Sequence, residues 1–296
     1  MKRKWRLFCG RALLTIIAAV VAAAFLLPTV FTFTNSLMSQ SELTANYGMV
    51  FSSAAGLGSG YVSDKVNLKF IPDKVTFAQY YTTFVQSPEY LLKFWNSVKY
   101  VLPIVLFQIL IACLAAYGFT RYRGKIREVI FFFYIILMLM PYQVTLVPNY
   151  LISDTLGILG NPLAIVLPGV VAPFSVFLIT KFMRRIPQSL IEAAKLDGAG
   201  EWQIFWNICL PMCRSVIYSV VILVFIDYWN MVEQPIVLLS DPEMMPLSVF
   251  LSQINAQEVG LAFAVAAIYM IPSLLLFLHG EDYLIEGITY SGAIKG

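Results

Sequence analysis

Few residues in this chain have types and spacing suited to reaction chemistry. There is one histidine, His279, and four cysteines, Cys9, Cys113, Cys209 and Cys213. Cys209 and Cys213 stand four apart across Pro211 with no second pair elsewhere, which is not a zinc spacing. No Gly-x4-Gly-Lys-Ser/Thr run is present, so the chain lacks the usual phosphate-cradling loop. The glycines Gly56, Gly58 and Gly60 have no strand-to-helix context and read as a flexible turn. No nucleophile–base pair stands out, and an enzyme is not expected. The most specific pattern is mechanical. Glu192-Ala193-Ala194 is followed after three residues by Gly198, then after nine by Ile208, with Leu210 and Pro211 closing it.

That pattern predicts two short helices joined by a tight turn. Pro187 suits a helix start, and Ser189 through Ala194 favour helix. Gly198 and Gly200 bracket Ala199 and allow a sharp reversal or a close backbone approach. Helix resumes at Glu201 and brings Trp202, Phe205 and Trp206 onto neighbouring faces. Such an elbow can seat in a groove of another protein. Ala193 and Ala194 permit close approach, Glu192 offers a charge, and Gly198 turns the chain without a side chain in the contact. The residues alone equally suit an amphipathic helix lying on a lipid surface with Trp and Arg anchors.

The elements around the elbow are membrane spans. Of 296 residues, 59% are hydrophobic and 12% charged, against about a quarter charged in soluble domains, and the mean hydropathy is +0.77. Six apolar runs, near 12–34, 97–119, 128–148, 161–182, 212–232 and 261–280, approach the ~20 residues that cross a bilayer. Pro28, Pro103, Pro141, Pro168, Pro173 and Pro272 interrupt them, as ordinary kinks or as irregular helices lining a path. The first run is long for a signal peptide and is expected to be retained. Fifteen of the 20 Lys and Arg residues flank the spans on the side of the N-terminus and the elbow, which predicts cytoplasmic termini. The expected divisions are an N-terminus over 1–11, a first span over 12–34 and an outer loop over 35–96. A five-helix core follows over 97–280, containing the elbow 187–211, and then a tail over 281–296. Within the outer loop, Thr76 to Trp95 is aromatic-rich and is expected to hold short surface helices.

Asp227 is the clearest ionisable residue inside a span, followed by Tyr228, Trp229 and Asn230. Intramembrane charges pair with a neighbouring helix or face a water-filled path, and both readings stand. With Asn96, these residues are the substrate-pathway candidates; Gln108, Gln143 and Asn149 are weaker ones.

The full spaced pattern resembles the coupling motif of bacterial ABC importer permeases at every defining position. Trp95-Asn96-Ser97, Trp229-Asn230 and the tail Ser291-Gly292-Ala293-Ile294-Lys295-Gly296 look like the carbohydrate-uptake permeases of the maltose-importer class. The resemblance covers most of the chain. It implies an all-α, six-span integral membrane protein of the type I importer fold in the bacterial inner membrane. It assigns ATPase coupling to Glu192, Ala193, Ala194, Asp197, Gly198, Ile208, Leu210 and Pro211. Gly292, Lys295 and Gly296 would reach the interface between ATPase subunits. The implied partners are a second, non-identical permease, two ATP-binding subunits, an extracytoplasmic solute-binding protein and membrane lipid, with no nucleic acid. ATP and Mg would sit on the ATPases, and no cofactor on this chain. The implied cargo is a sugar, oligosaccharide or glycan-derived solute. A non-carbohydrate solute of the same machinery, and an ATPase-independent secondary transporter, are the alternatives.

Overall fold

The computed structural model describes residues 2–54, 68–122, 124–253 and 259–292, and every regular element among them is helical. In chain order these are α1 (Lys2–Ser36), α2 (Gln40–Ala54), α3 (Ala78–Tyr81), α4 (Pro88–Arg121), α5 (Lys125–Met138), α6 (Tyr142–Thr155), α7 (Leu163–Val170), α8 (Pro173–Met183), α9 (Gln188–Leu196), α10 (Glu201–Ile204), α11 (Leu210–Met212), α12 (Arg214–Trp229), α13 (Glu233–Leu238), α14 (Leu247–Ser252) and α15 (Val259–Gly292). Thr82–Gln86 and Phe205–Cys209 are π-helical, and Pro242–Met244 is a 3-10 turn.

Among the described residues, four stretches are long and apolar enough to cross a membrane: Gly10–Ser36, Pro88–Arg121, Leu163–Met183 and Val259–Leu284. The number rises to six if two bent pairs each make one span. The expected third span, 128–148, is one of these pairs. Lys125–Met138 and Tyr142–Thr155 meet at 104°, because Pro141 adopts an extended ψ of 141° and has no N–H to continue the ladder. The other pair joins Glu201–Met212 to Arg214–Trp229 at 74°, just beyond Pro211. The expected fourth span, 161–182, begins at Leu163 and is interrupted where Val171 and Ala172 are extended ahead of Pro173, a conformation that proline imposes on its predecessor.

Two other expected boundaries also move. The helix of the second span starts at Pro88 rather than at 97, so it takes in Tyr90, Phe94 and Trp95 of the supposed surface segment. The last helix continues past 280 to Gly292. Pro272 is its last proline, so nothing in 281–292 removes a ladder donor.

The chain forms two compact units. The first comprises Met1–Leu91 and Gln253–Met270, and the second Leu92–Ser252 and Ile271–Gly296. In the first unit, Phe31 on α1 meets the rings of Tyr47, Phe70 and Phe263 edge-on at 5.5, 5.6 and 6.2 Å. Met38, Leu43 and Tyr47 are buried there. Polar bonds fasten the chain beyond α2 to that cluster. Lys69 N donates to Tyr47 Oη at 3.0 Å, Lys69 Nζ pairs with Glu42 at 3.0 Å, and Asp73 N donates to Glu42 Oε1 at 2.8 Å. The apolar window of α1 has none of its residues buried. Only lipid or another chain can cover such a surface.

In the second unit, Ile104, Ala112 and Ala116 of α4 pack with Ile165 of α7, Val176, Ile179 and Met183 of α8, and Val216, Val220 and Val224 of α12. Gln108 is 2% exposed and donates from Nε2 to Ser175 Oγ at 2.6 Å. It therefore joins helices rather than facing a path. Tyr283 on α15 stacks on Tyr218 at 4.5 Å and accepts a bond from Arg214 Nη2 at 2.6 Å. Gly280 allows α15 to approach α12, since a Cβ there would overlap Ile222 Cδ1. Gly280→Val should lower stability by about 1–3 kcal/mol through overpacking, and Gly280→Ala by less because the Ile222 tip can rotate. Thermal unfolding of the detergent-solubilised protein checks this, with a lower midpoint for the valine variant.

Candidate functional site

The elbow is a rigid turn with one seated side and one open side. Helix α9 ends in a Schellman motif, with Gly198 N donating to Lys195 O at 3.1 Å and Ala199 N to Ala194 O at 2.9 Å. Gly198 has φ +83°, the left-handed turn that this cap requires and glycine supplies most readily. The next helix is capped in turn, as Gly200 N donates to Gln203 Oε1 at 2.9 Å.

The motif's residues divide between the two sides. Ile191, Ile204, Phe205 and Cys209 are buried in the core of the second unit, with Ala194, Ala199, Ile208 and Leu210 packed against it. Glu192, Ala193, Asp197 and Gly198 are exposed, as is Pro211. Leu196, beside Gly198, is 89% exposed, the most open of the large apolar side chains. Ile208 and Leu210 therefore hold the elbow down, whereas Glu192, Ala193, Asp197 and Gly198 offer a surface for contact.

An ionic cluster ties the elbow together. Glu201 Oε1 lies 2.6 Å from Lys195 Nζ at the end of α9. Its carboxylate accepts from Arg121 through Nε at 3.2 Å and Nη2 at 3.3 Å. Tyr117 Oη lies 2.5 Å from Glu201 Oε2, and the Tyr117 ring meets Phe205 edge-on at 5.1 Å. The Arg121 side chain is 11% exposed. None of this was foreseen. Arg121 reads as one of several basic residues at a span end, and the 80 residues between it and Glu201 hide the pairing.

Among the pathway candidates, Asn96 and Trp229 are buried in the helical core. Asn96 is 5% exposed and donates from Nδ2 to Glu243 O at 2.6 Å and Met245 O at 3.3 Å. Trp229 is 1% exposed, stacked on Phe225 at 5.1 Å and edge-on to Phe94 at 5.6 Å. The large apolar area of Trp229 and the hydrogen-bonding amide of Asn96 serve packing. Asp227 lies exposed on α12, and Asn230 lies exposed at its C-cap. Asn230 bonds back to Ile226 O at 2.7 Å.

Tyr228 lines a cavity of about 430 Å³, together with Tyr142, Thr145 and Asn149 of α6, Gln234 of α13 and Gly169 of α7. The cavity lies where helices break, with Met140, Val171, Ala172 and Pro173 also in its wall. Its size and its mix of apolar wall with a few hydroxyl and amide groups suit a small polar solute. Gln143, by contrast, is exposed beside Glu233 at 3.4 Å. In the tail, Gly292 is the last residue of α15, while Lys295 and Gly296 lie outside the described residues.

Broken helices thus surround a cavity in the same unit as a capped elbow with an open face. Residues 108–284, which include the elbow and the cavity, match the family of binding-protein-dependent transport system inner membrane components. The chain belongs to that family. It is 28% identical over 234 residues to the lactose transport system permease protein LacG of Rhizobium radiobacter, covering 77% of this chain and 85% of that protein. It is 27% identical over 290 residues to the melibiose/raffinose/stachyose import permease protein MelC of Bacillus subtilis, covering 96% of each. The fold matches a chain in the crystal structure of a bacterial ABC transporter involved in the import of the acidic polysaccharide alginate. That match has a TM-score of 0.73 at 20% identity, over 92% of this chain and 95% of the other. The protein is an ABC importer permease of the type I fold.

The elbow's cluster has a defined pH response. Arg121, then Lys195 and Tyr117, hold the Glu201 carboxyl down from its ordinary 4.5 to about 2. A carboxyl lowered on folding stabilises the folded form above its unfolded value and loses that contribution as pH falls through the folded value. The elbow should thus hold above about pH 5 and loosen between about 4.5 and 2. Fluorescence of a chain retaining only Trp202 and Trp206 should show that acid transition, and Glu201→Gln should remove it.

Proposed function

We propose that this chain is one half of the membrane channel of an ATP-driven importer and passes a sugar, oligosaccharide or other glycan-derived solute by alternating access. The second half is a separate, non-identical permease. Two ATP-binding subunits, which carry ATP and Mg, dock on the elbows of the two halves, and an extracytoplasmic solute-binding protein delivers the cargo. The observation that carries the coupling reading is the division of the elbow. Glu192, Ala193, Asp197 and Gly198 stand exposed, while Ile191, Ile204 and Phe205 anchor the same segment in the helical core. A load applied to the open face is therefore passed to packed helices rather than absorbed by a loose loop.

The basic residues around the elbow and the N-terminus favour a cytoplasmic position for both, where an ATPase would act. The tail adds a second contact in this reading, with Gly292, Lys295 and Gly296 entering the interface between the ATPases. The carbohydrate reading is supported by what the relatives are named for: lactose in one case, and melibiose, raffinose and stachyose in the other. It is also supported by the cavity, where Tyr142, Tyr228, Asn149 and Gln234 supply aromatic surface and hydrogen-bonding groups. Sugar rings pack on the former and their hydroxyls pair with the latter. Asp227, exposed on α12, and Asn230, exposed at its C-cap, face either the partner permease or water, since a carboxylate is costly against lipid.

Two measurements test the proposal. A tagged chain captured from native membranes should bring down an ATP-binding subunit, and Glu192→Ala or Gly198→Asp should reduce that yield by about tenfold, as loss of an interfacial anchor does. Membrane insertion should stay normal. Wild-type yield with normal uptake in both variants would remove the elbow from the docking face. In proteoliposomes, labelled oligosaccharide should enter only with the complete assembly and ATP. Movement of solute down an ion gradient by this chain alone would make it a secondary transporter.

A further inference from the structure

We propose that Glu201 is a latch that couples the elbow to α4, and through α4 to the wall of the cavity, giving motion a route separate from the continuous chain. This rests on the docking role proposed for the elbow and extends it to a second, non-covalent linkage.

The covalent routes out of the elbow are plain. Its N-terminal end continues back into α8 through Arg184–Pro187, and its C-terminal end continues into α12 through Cys213. Helix α4 belongs to neither route, since Arg121 precedes the elbow by more than 60 residues. Yet the inner turns of α4 are the part most directly bonded to it. Glu201 sits at the first position of α10, immediately after the Gly198–Gly200 turn. One of its oxygens contacts Lys195, the last basic residue of α9. The carboxylate as a whole receives the Arg121 guanidinium through two nitrogens and lies within bonding distance of the Tyr117 hydroxyl. Tyr117 Oη also lies 3.1 Å from the Glu201 backbone carbonyl. Two turns of the elbow and one end of a span thus meet at a single side chain. The two-nitrogen arrangement fixes orientation as well as distance, and a network of this kind holds better than an isolated surface pair.

The far side of the linkage is equally definite. Four turns back along α4, Ile104 packs against Gly169, where a Cβ would come within 3.0 Å of Ile104 Cδ1. Gly169 lines the cavity. One turn from Ile104, Gln108 is bonded to Ser175 of α8 at 2.6 Å. A helix is stiff along its axis, and contacts this close leave no slack for α4 to shift without moving that wall. In this chain of contacts, Glu201 is a positioning residue.

The test uses the complete assembly purified from its native membrane, with Mg-ATP as the probe and amide hydrogen exchange as the readout. In the wild type, Mg-ATP should change protection in the elbow (188–212), at the inner end of α4 (114–121) and in the cavity wall (163–171). In Glu201→Gln, which keeps the shape of the side chain and removes its charge, the elbow response should persist. The responses at 114–121 and 163–171 should fall on the order of fivefold, the low end of usual site-to-site coupling. Arg121→Gln should do the same, which covers the case of poor yield of the first variant, and Glu201→Asp should restore part of the response. Undiminished responses at 114–121 and 163–171 in both Gln variants would overturn the latch while leaving docking intact. Equal loss in all three segments would also overturn it, by reducing Glu201 to a folding role. No elbow response to Mg-ATP in the wild type would remove the docking reading and the latch with it.

Discussion

The elbow's inner side must stay buried if its outer side is to mean anything to another protein. Ile191, Ile204 and Phe205 sit in a core built from α4, α7, α8 and α12, and this burial converts a short polar interruption between spans into a fixed protrusion. The Schellman cap at Gly198 and the Glu201 cluster refine its shape, but neither would hold it in place alone. A turn with all its apolar groups in solvent would move independently of the spans. Here the same residues that end one helix and start the next also complete the packing of the membrane segments, so the elbow and the bundle form one mechanical body within the second unit.

A second constraint shapes the membrane region. Backbone polar groups in lipid must be paired within the protein or face water, so a broken helix is tolerated only where something polar covers the break. In this chain the breaks at Pro141 and at Val171–Ala172 converge on one cavity. Residues near those breaks, Met140, Val171, Ala172 and Pro173, form part of its wall. The cavity and the irregular helices are thus one feature seen twice. The prolines free the carbonyls, and a water- or solute-filled space is where freed carbonyls are affordable.

Much of the architecture was legible because it rests on local chemistry. The spans follow from long apolar runs, and the elbow's turn follows from Gly198 and Gly200, four and six positions after Ala194. Amide and indole groups suit sugars, which makes Asn96 and Trp229 pathway candidates by type. However, the same groups suit a backbone latch onto Glu243 and Met245 and an aromatic stack with Phe225. Type and position along the chain do not distinguish these uses. The sharp bend in the third span is hidden for a different reason: proline in a membrane helix permits either a kink or a full break, and the choice depends on what neighbouring helices leave open.

The amino-acid order by itself determined that this chain crosses a membrane, that an elbow interrupts its helices, and which residues of that elbow turn the chain. Those properties arise from hydropathy, helix capping and the conformational freedom of glycine, all of which act over a few residues. Only the tertiary structure decided which half of the motif is buried and which is open, that Glu201 meets Arg121 and Tyr117, and that Tyr228 rather than Trp229 faces the cavity. Each of those outcomes depends on segments 60 to 150 residues apart being brought side by side, and the packing that brings them together is a property of the whole set of helices.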